Sequence, residues 1–258
     1  MMRRIDHHAA AAALALILTA TAPAMAQERC RLTPAEPGAH LTGLDRHGNP
    51  LTASGAEMRL IDLRVADIAA AEALIARERP AYRVLADAAP DRWGRLPVLG
   101  VLDDGRPLAH ALIDAGLARV DPGPGADLCD PALLPREARA RAARRGIWAA
   151  PENRPLSAHD SEALAARAGE SVIVEGRVVS VGERGRATYL DFSRRWQGGF
   201  TVIIPEEIWQ DLSEKGIDAA YLSGRRIRVR GVMLDWRGPA IELAIAAFIE
   251  DLETGRSP

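Results

Sequence analysis

Residues 91–95, Asp-Arg-Trp-Gly-Arg, constrain the fold of this chain more than any other segment, because they end a turn and open an apolar strand. The strand is predicted over Leu96–Leu102, and a tight Asp-Asp-Gly turn follows it. A helix comes next, in a stretch that ends with ALIDAGLARV. A guanidinium group at the mouth of such a strand can bind two phosphate oxygens at once, so Arg92 and Arg95 are candidate phosphate-binding residues.

The pattern of the whole chain predicts an α+β fold, mainly β, in two units. Apolar or alternating segments in residues 27–150 predict a small barrel with helices packed at its side. The predicted strands are Ala39–Leu44, Met58–Leu63, Tyr82–Leu85 and Leu96–Leu102, and the predicted helices are Ala66–Glu78, Pro107–Ala115 and Leu133–Arg145.

A second unit is predicted at residues 170–252, after a linker and a short helix at 151–169 and before a tail at 253–258. Five strands with a helix inserted after the third are the arrangement of an OB-fold barrel. The predicted strands are Ser171–Val181, Ala187–Phe192, Phe200–Ile204, Arg225–Leu234 and Ala240–Ala244, and the predicted helices are Ser161–Ala168 and Pro205–Ser213.

The first 26 residues have the composition of a signal peptide rather than of a folded element. Arg3 and Arg4 precede an apolar stretch at Ala9–Ala20, and an Ala-Met-Ala cleavage sequence ends at Ala26. No later stretch is apolar enough to span a membrane. We therefore expect an exported protein, periplasmic or secreted, without an integral membrane segment in the mature chain. The sequence identifies no protein partner.

Cys30 and Cys129 are the only cysteines of the chain, and both remain after cleavage of the signal. In an oxidising compartment an isolated pair favours a disulfide over a metal site, which needs more ligands. Two free thiols are the alternative.

The Asp91–Arg95 turn, its strand and the ALIDAGLARV helix resemble the staphylococcal nuclease, or thermonuclease, family. A second motif supports this resemblance, because the family strand R-L-x-x-x-D-x-P-E corresponds to RLIDLRVAD at Arg59–Asp67. The resemblance implies an OB-fold barrel with packed helices in residues 27–150. It also implies hydrolysis of phosphodiesters in DNA or RNA by a calcium ion, a carboxylate base and two arginines.

Carried over position by position, the resemblance makes Arg59 and Arg95 the catalytic arginines and Asp67 the general base. Asp67 is one methylene shorter than the glutamate of the family, and small misplacements of a catalytic group are costly. The family tyrosines that bracket the nucleotide would fall near Pro122 and Pro124, so that contact is missing.

The calcium site implied by the resemblance is degenerate in this sequence. Arg64 stands at the position of one calcium-binding aspartate, which reverses the charge there. Asn49, in the HGNP segment, stands at the position of the other, and Asp45 is the alternative if the register shifts. Calcium is expected if the protein is active, and otherwise no cofactor is expected.

Arg64 has two interpretations. It could supply the positive charge that calcium normally brings, and form a metal-independent clamp with Arg59 and Arg95 that binds phosphate without cutting. The alternative is that Arg64 points to solvent or pairs with Asp62 or Asp67.

In the second unit, VEGRVVSVGERGRATYLDF and FTVIIP resemble OB-type domains appended to bacterial nuclease-like proteins. Arginines beside an aromatic side chain form a candidate surface for DNA or RNA: Arg194, Arg195, Trp196, Arg226 and Arg228. A solvated strand face is the alternative for the last two. The formal net charge of −2 excludes a polycation that coats nucleic acid, so phosphate binding must depend on local patches.

These features predict an exported thermonuclease-like protein whose ancestral hydrolysis of nucleic acid is weakened or lost. The alternative is a non-catalytic envelope protein that binds a nucleic acid, another polyanion or a protein.

Overall fold

The computed structural model describes residues 30–34, 36, 38–123, 127–194 and 198–254. The predicted signal peptide, at residues 1–26, lies outside these residues, as do Arg195, Trp196 and the last four residues of the tail. Within the described part of the chain, no helix has the length and apolar character needed to span a membrane.

The first unit contains short strands that pair in three separate sheets. β3 is parallel to β6, which pairs antiparallel with β5, while β1–β2 and β4–β7 form antiparallel pairs. The strands are β1 (Leu41–Leu44), β2 (Pro50–Thr52), β3 (Met58–Leu60), β4 (Leu63–Val65), β5 (Ala81–Val84), β6 (Leu96–Val101) and β7 (Ala118–Val120), and the helices are α1 (Ile68–Glu78), α2 (Leu108–Asp114) and α3 (Leu133–Ala142).

The strand predicted at Met58–Leu63 is interrupted, so that prediction is corrected. Asp62 adopts a left-handed backbone conformation with φ of 64° and separates β3 from β4. Its buried side chain accepts a hydrogen bond from the Asp130 amide at 2.6 Å, and its carbonyl accepts one from the Asp121 amide at 2.8 Å. These long-range bonds compensate the unfavourable backbone angle and turn the chain between the two strands.

The disulfide between Cys30 and Cys129 is present, as predicted. It links residues that are 99 positions apart, and it joins the start of the described chain to the segment that precedes α3. Nearly the whole first unit therefore lies inside one covalent loop.

The glycines of the GLARV and RRGIW segments bring the ends of α2 and α3 together. The Gly116 carbonyl accepts a hydrogen bond from the Ile147 amide at 2.9 Å. A Cβ on Gly116 would lie 2.2 Å from the Arg145 carbonyl oxygen, and φ is +71° at this position. Only glycine permits so close an approach of the two backbones.

The second unit is built around an eight-stranded sheet, in the order β10-β11-β12-β14-β13-β9-β8, with β15 also paired to β13. Its strands are β8 (Leu156–Ser157), β9 (Ser171–Arg177), β10 (Ser180–Arg184), β11 (Ala187–Asp191), β12 (Thr201–Pro205), β13 (Arg226–Asp235), β14 (Pro239–Glu242) and β15 (Ile249–Asp251), and its helices are α4 (Ser161–Ala165), α5 (Glu206–Glu214) and α6 (Ala219–Leu222). Short 3-10 turns lie at Gly146–Ala149, Pro151–Asn153 and Ala246–Phe248.

The fold is a mixed one, with more strand than helix, as the sequence predicts. The strand pairings of the described residues leave no sheet closed into a barrel, so the expectation of two OB-type barrels is not confirmed. The predicted strand Ser171–Val181 is divided into β9 and β10 at Val178 and Val179. Phe192 and Phe200 are buried in the core, with ring centroids 5.1 Å apart, as expected for inward-facing strand residues.

The segment predicted as a linker belongs to the junction of the two units. Trp148 is buried and packs with Ala140 of α3 and Ile173 of β9. β8 pairs in parallel with β9, so the chain enters the second sheet directly after the junction. Buried apolar side chains of both units form one continuous core.

Candidate functional site

Arg95 is held in place by the turn that contains it. Its Nε and Nη2 atoms lie 2.8 and 2.7 Å from Oδ2 of Asp91, and Nη1 donates to Oδ1 of Asn49 at 2.6 Å. Burial alone would raise the pKa of Asp91, but hydrogen bonds from Arg95 and from the backbone amides of Trp93 and Arg95 lower it overall. All three nitrogens of the guanidinium group thus have partners within the protein.

Asn49 is fixed in turn by Asp45. One oxygen of Asp45 accepts the backbone amides of His47 and Asn49, each at 2.8 Å, and the other accepts Nδ2 of Asn49 at 2.8 Å. Burial raises the pKa of Asp45, while these hydrogen bonds lower it below the ordinary value. The HGNP segment therefore forms a rigid turn that presents the Asn49 amide oxygen to Arg95.

Trp93 lies at the edge of this arrangement and is 62% exposed. The guanidinium carbon of Arg92 lies 4.0 Å from the centre of its ring, and that of Arg95 lies 4.7 Å away. These distances are those of cation–π contacts. An open cleft of about 800 Å³ adjoins the ring, and its other walls are Asp45, Arg46, His47, Asn49, Glu57 and Arg95. We call this surface the Trp93 cleft.

Arg59, the other predicted catalytic arginine, does not line the Trp93 cleft. β3 and β6 pair with Arg59 opposite Pro97, two positions beyond Arg95. Its Nη1 atom donates to the carbonyl of Pro122 at 3.4 Å. The contacts of the described residues therefore give the two arginines different partners and do not bring them together on one group.

Arg64 is exposed and pairs with Asp121 across β4 and β7, with Nε 3.6 Å from Oδ2. Neither interpretation of Arg64 included Asp121. The first joined Arg64 to Arg59 and Arg95 in a phosphate clamp, and the second left it in solvent or paired it with Asp62 or Asp67. The proposed clamp of Arg59, Arg64 and Arg95 remains a prediction. Arg64 has a carboxylate partner in the first unit, so its charge is already matched.

Asp67 is the N-cap of α1. Its Oδ1 atom accepts a hydrogen bond from the Ala70 amide at 3.1 Å, which satisfies one of the free amides of the first helical turn. This contact gives Asp67 a structural role that its sequence position does not reveal. The same carboxylate is the predicted general base.

The donor set at the predicted calcium positions does not fit calcium. Calcium requires several oxygen ligands, mostly carboxylates. The Asn49 oxygen accepts a hydrogen bond from Arg95, Arg64 carries a positive charge, and both Asp45 oxygens accept hydrogen bonds within their own turn. Among the described residues, no group of three or more His, Cys, Asp or Glu side chains is placed to hold a metal ion.

The residues predicted as the nucleic-acid surface of the second unit do not share one environment. Arg194 is exposed and lies beside a small open pocket with Val179, Ser180 and Asp191. Arg195 and Trp196 lie outside the described residues. Arg226 is exposed but pairs with Glu175 at 3.3 Å.

Arg228 belongs to a buried ion network at the junction of the two units. Its Nη2 and Nη1 atoms lie 2.7 Å from Glu175 and 2.7 Å from Glu250. Arg230, next on the same face of β13, lies 2.6 Å from Glu137 of α3 and 3.2 Å from Glu250. We call Glu137, Glu175, Arg228, Arg230 and Glu250 the junction network.

The junction network was not predicted. Glu137 is fully buried and also accepts the Val120 amide at 2.9 Å, so it joins α3, β7 and β13. Burial raises the pKa of Glu250, but Arg230 and Arg228 hold it below the ordinary value overall. The alternation of arginines along β13 was the only signal in the sequence, and it does not distinguish a buried network from a solvated face.

No protein-family model matches this chain, and no curated protein matches it in sequence. The resemblance to thermonucleases rests on the residues of the two sequence motifs alone.

Proposed function

We propose that the protein is an exported, thermonuclease-related binding protein that holds single-stranded nucleic acid at the Trp93 cleft without hydrolysing it. One observation carries the proposal: a largely exposed tryptophan lines an open cleft and has the guanidinium groups of two arginines in contact with its ring. Trp93 is the most exposed of the large hydrophobic side chains in the described part of the chain.

The chemistry of the cleft suits a flexible nucleic-acid strand. An unpaired base of any identity can stack on an exposed indole ring, and nearby arginines can contact phosphates. Arg92 and Arg46 are both exposed, and neither has a carboxylate partner among the described residues. Arg95 is already bound to Asp91 and Asn49, so its role is to hold the turn and the indole ring.

The same contacts support the proposed absence of hydrolysis. Hydrolysis as the family performs it needs calcium, two arginines on one phosphate and a free carboxylate base. Here the metal positions are an amide and a guanidinium group, and the candidate base caps a helix. Arg59 and Arg95 have separate partners.

An OB-type architecture for the second unit is part of the proposal. The order of its sheet supports it, because β9 and β10 are separated by only Val178 and Val179 yet lie far apart in the strand order. A single bent strand that contributes to both ends of a sheet is how a small barrel closes. Helix α5 between β12 and β13 agrees with the same architecture.

The test is a binding and cleavage experiment on the mature protein. Fluorescence anisotropy of a labelled oligothymidylate would be measured at several salt concentrations, beside a cleavage assay with calcium and with a chelator. Trp93→Ala should weaken binding by about 1–3 kcal/mol, or roughly fivefold to 150-fold, because one stacked base is lost. Trp236→Ala is the matched control, since Trp236 is also exposed but stacks on Tyr189 in the second unit.

The expected result is salt-dependent binding with no cleavage under either condition, and a loss of affinity in the Trp93 variant alone. Calcium-stimulated cleavage that disappears in Arg95→Ala would replace the proposal with true hydrolysis. Equal affinities of the two tryptophan variants, or no binding at low salt, would overturn the assignment of the cleft.

A further inference from the structure

A cavity of about 410 Å³ lies where the two units meet, away from the Trp93 cleft. The end of β7 and the residues after it form one wall, while β9, β13 and the Ala246–Phe248 turn form the others. The lining is mostly apolar and includes Val120, Pro122, Val172, Ile173, Leu234 and Phe248. A cavity of this size and lining is typical of a site for a small organic molecule.

Two guanidinium groups face this apolar space. Arg230 is 5% exposed and lines the cavity. Its two Nη atoms are paired with Glu137 and Glu250, but its buried Nε has no hydrogen-bond partner. A buried N–H donor without an acceptor is costly, so the Nε of Arg230 is a candidate donor to a ligand in this cavity.

Arg119 also lines the cavity and has no carboxylate partner among the described residues. Its Nη2 atom donates to the neutral side chain of Asn153, and its guanidinium carbon lies 5.0 Å from the centre of the Trp148 ring. Burial lowers the pKa of Arg119, while Glu137 acts in the opposite direction.

The mostly buried charges of the junction are four guanidinium groups and three carboxylates. Arg119, Arg141, Arg228 and Arg230 are mostly buried there, against the three carboxylates of Glu137, Glu175 and Glu250. The cavity wall also holds Asp121, which is paired with Arg64, and Glu242, which is exposed. An anionic group could pair locally with Arg119 and accept the Nε–H of Arg230.

We infer that the junction cavity binds a small organic anion with an apolar body, such as a carboxylate or sulfonate on an aliphatic or aromatic skeleton. The apolar walls bind the body, and Arg119 and Arg230 bind the anionic group. This site is independent of the Trp93 cleft and of the function proposed for it.

The test compares two fluorescent probes that differ in charge. 1-Anilinonaphthalene-8-sulfonate has an aromatic body and an anionic group, whereas N-phenyl-1-naphthylamine has the same body without the anion. The protein should bind the sulfonate in a saturable manner at one site. It should bind the neutral probe about tenfold more weakly, as expected for the loss of one charge-assisted hydrogen bond.

Two variants locate the probe. Val232 lines the cavity and is 48% exposed, so Val232→Trp can fill the space from its outer wall with little effect on the core. Val179, 40% exposed and not part of this cavity, provides the control Val179→Trp. Cooperative thermal unfolding, checked for each variant, excludes binding of the dye to a partly unfolded chain.

Val232→Trp should abolish binding of the sulfonate probe, while Val179→Trp should leave it unchanged. Arg119→Gln should weaken binding of the sulfonate probe about tenfold and leave binding of the neutral probe unaffected. Equal binding of both probes by all variants would show adsorption to the surface and overturn the inference. Absence of saturable binding by the native protein would overturn it as well, whatever the outcome at the Trp93 cleft.

Discussion

The Trp93 cleft and the junction network both contain closely spaced arginines, but the arginines differ in their exposure and in their partners. Arg92 lies on an exposed turn against an indole ring. Arg228 and Arg230 are enclosed between α3, β9 and β15 and paired with carboxylates from both units. The comparison shows that the location of the nearest carboxylate decides whether the charge of an arginine stays at the surface or is used inside the fold.

The largest effect is expected at Glu137, the carboxylate on which the network depends. Glu137→Ala leaves the buried Arg230 and the Val120 amide without their partner, and should reduce the free energy of unfolding by about 3–5 kcal/mol. Chemical denaturation would measure it. Glu206→Ala, at an ion pair exposed on both sides, is the control and should change stability by less than about 0.5 kcal/mol. Similar losses in both variants would contradict a special role for the junction.

A pair of arginine variants should separate stability from binding. Arg228→Gln should reduce the free energy of unfolding by about 1.5–3 kcal/mol and leave the oligonucleotide affinity unchanged, because its charge is used inside the protein. Arg92→Gln should leave stability within about 0.5 kcal/mol of the native value. It should also reduce the slope of log affinity against log salt by about 0.7, as for one phosphate contact to a single strand. The reverse assignment of these effects would contradict the comparison.

Asp251, close to the junction network in sequence, should make the free energy of unfolding depend on pH in the acid range. Burial raises the pKa of Asp251, but hydrogen bonds, chiefly from Tyr221, lower it to about 2. A lowered pKa in the folded state means that its stabilisation is complete above the unfolded value of 3.8 and is lost as pH falls towards 2. The stability advantage of the native protein over Asp251→Asn, on the order of 1–2 kcal/mol, should shrink across this interval in denaturation experiments. A constant difference would contradict the shift.

The smallest effect concerns Asp67, for which two roles compete. As an N-cap it can be replaced by asparagine, so Asp67→Asn should retain stability while Asp67→Ala loses about 1 kcal/mol. Neither change should alter oligonucleotide binding. Thermal unfolding and anisotropy measure the two properties separately. If Asp67→Asn abolished a measurable cleavage activity, Asp67 would be a base as well as a cap.

Local patterns predicted much of the fold because they depend on neighbouring residues. The alternation of apolar residues located β6 and β11, and the pair of cysteines gave the disulfide. The break at Asp62 was missed, since it depends on the Asp130 amide far along the chain. The partners of Arg95 and Arg228 were missed for the same reason, because Asn49 and Glu250 are brought to them only by the tertiary fold.

The covalent loop between residues 30 and 129 makes the stability of the first unit depend on the redox state of its two cysteines. A cross-link that closes about 100 residues stabilises the folded state by roughly 4–5 kcal/mol in the chain-entropy model, which approaches the whole stability of many domains. Reduction of the bond removes this constraint, so the reduced chain should spend more time unfolded. The Asp45–Asn49 turn and the Asp91–Arg95 turn both lie inside the loop, so the contact between Asn49 and Arg95 should persist for a larger fraction of the time in the oxidised protein.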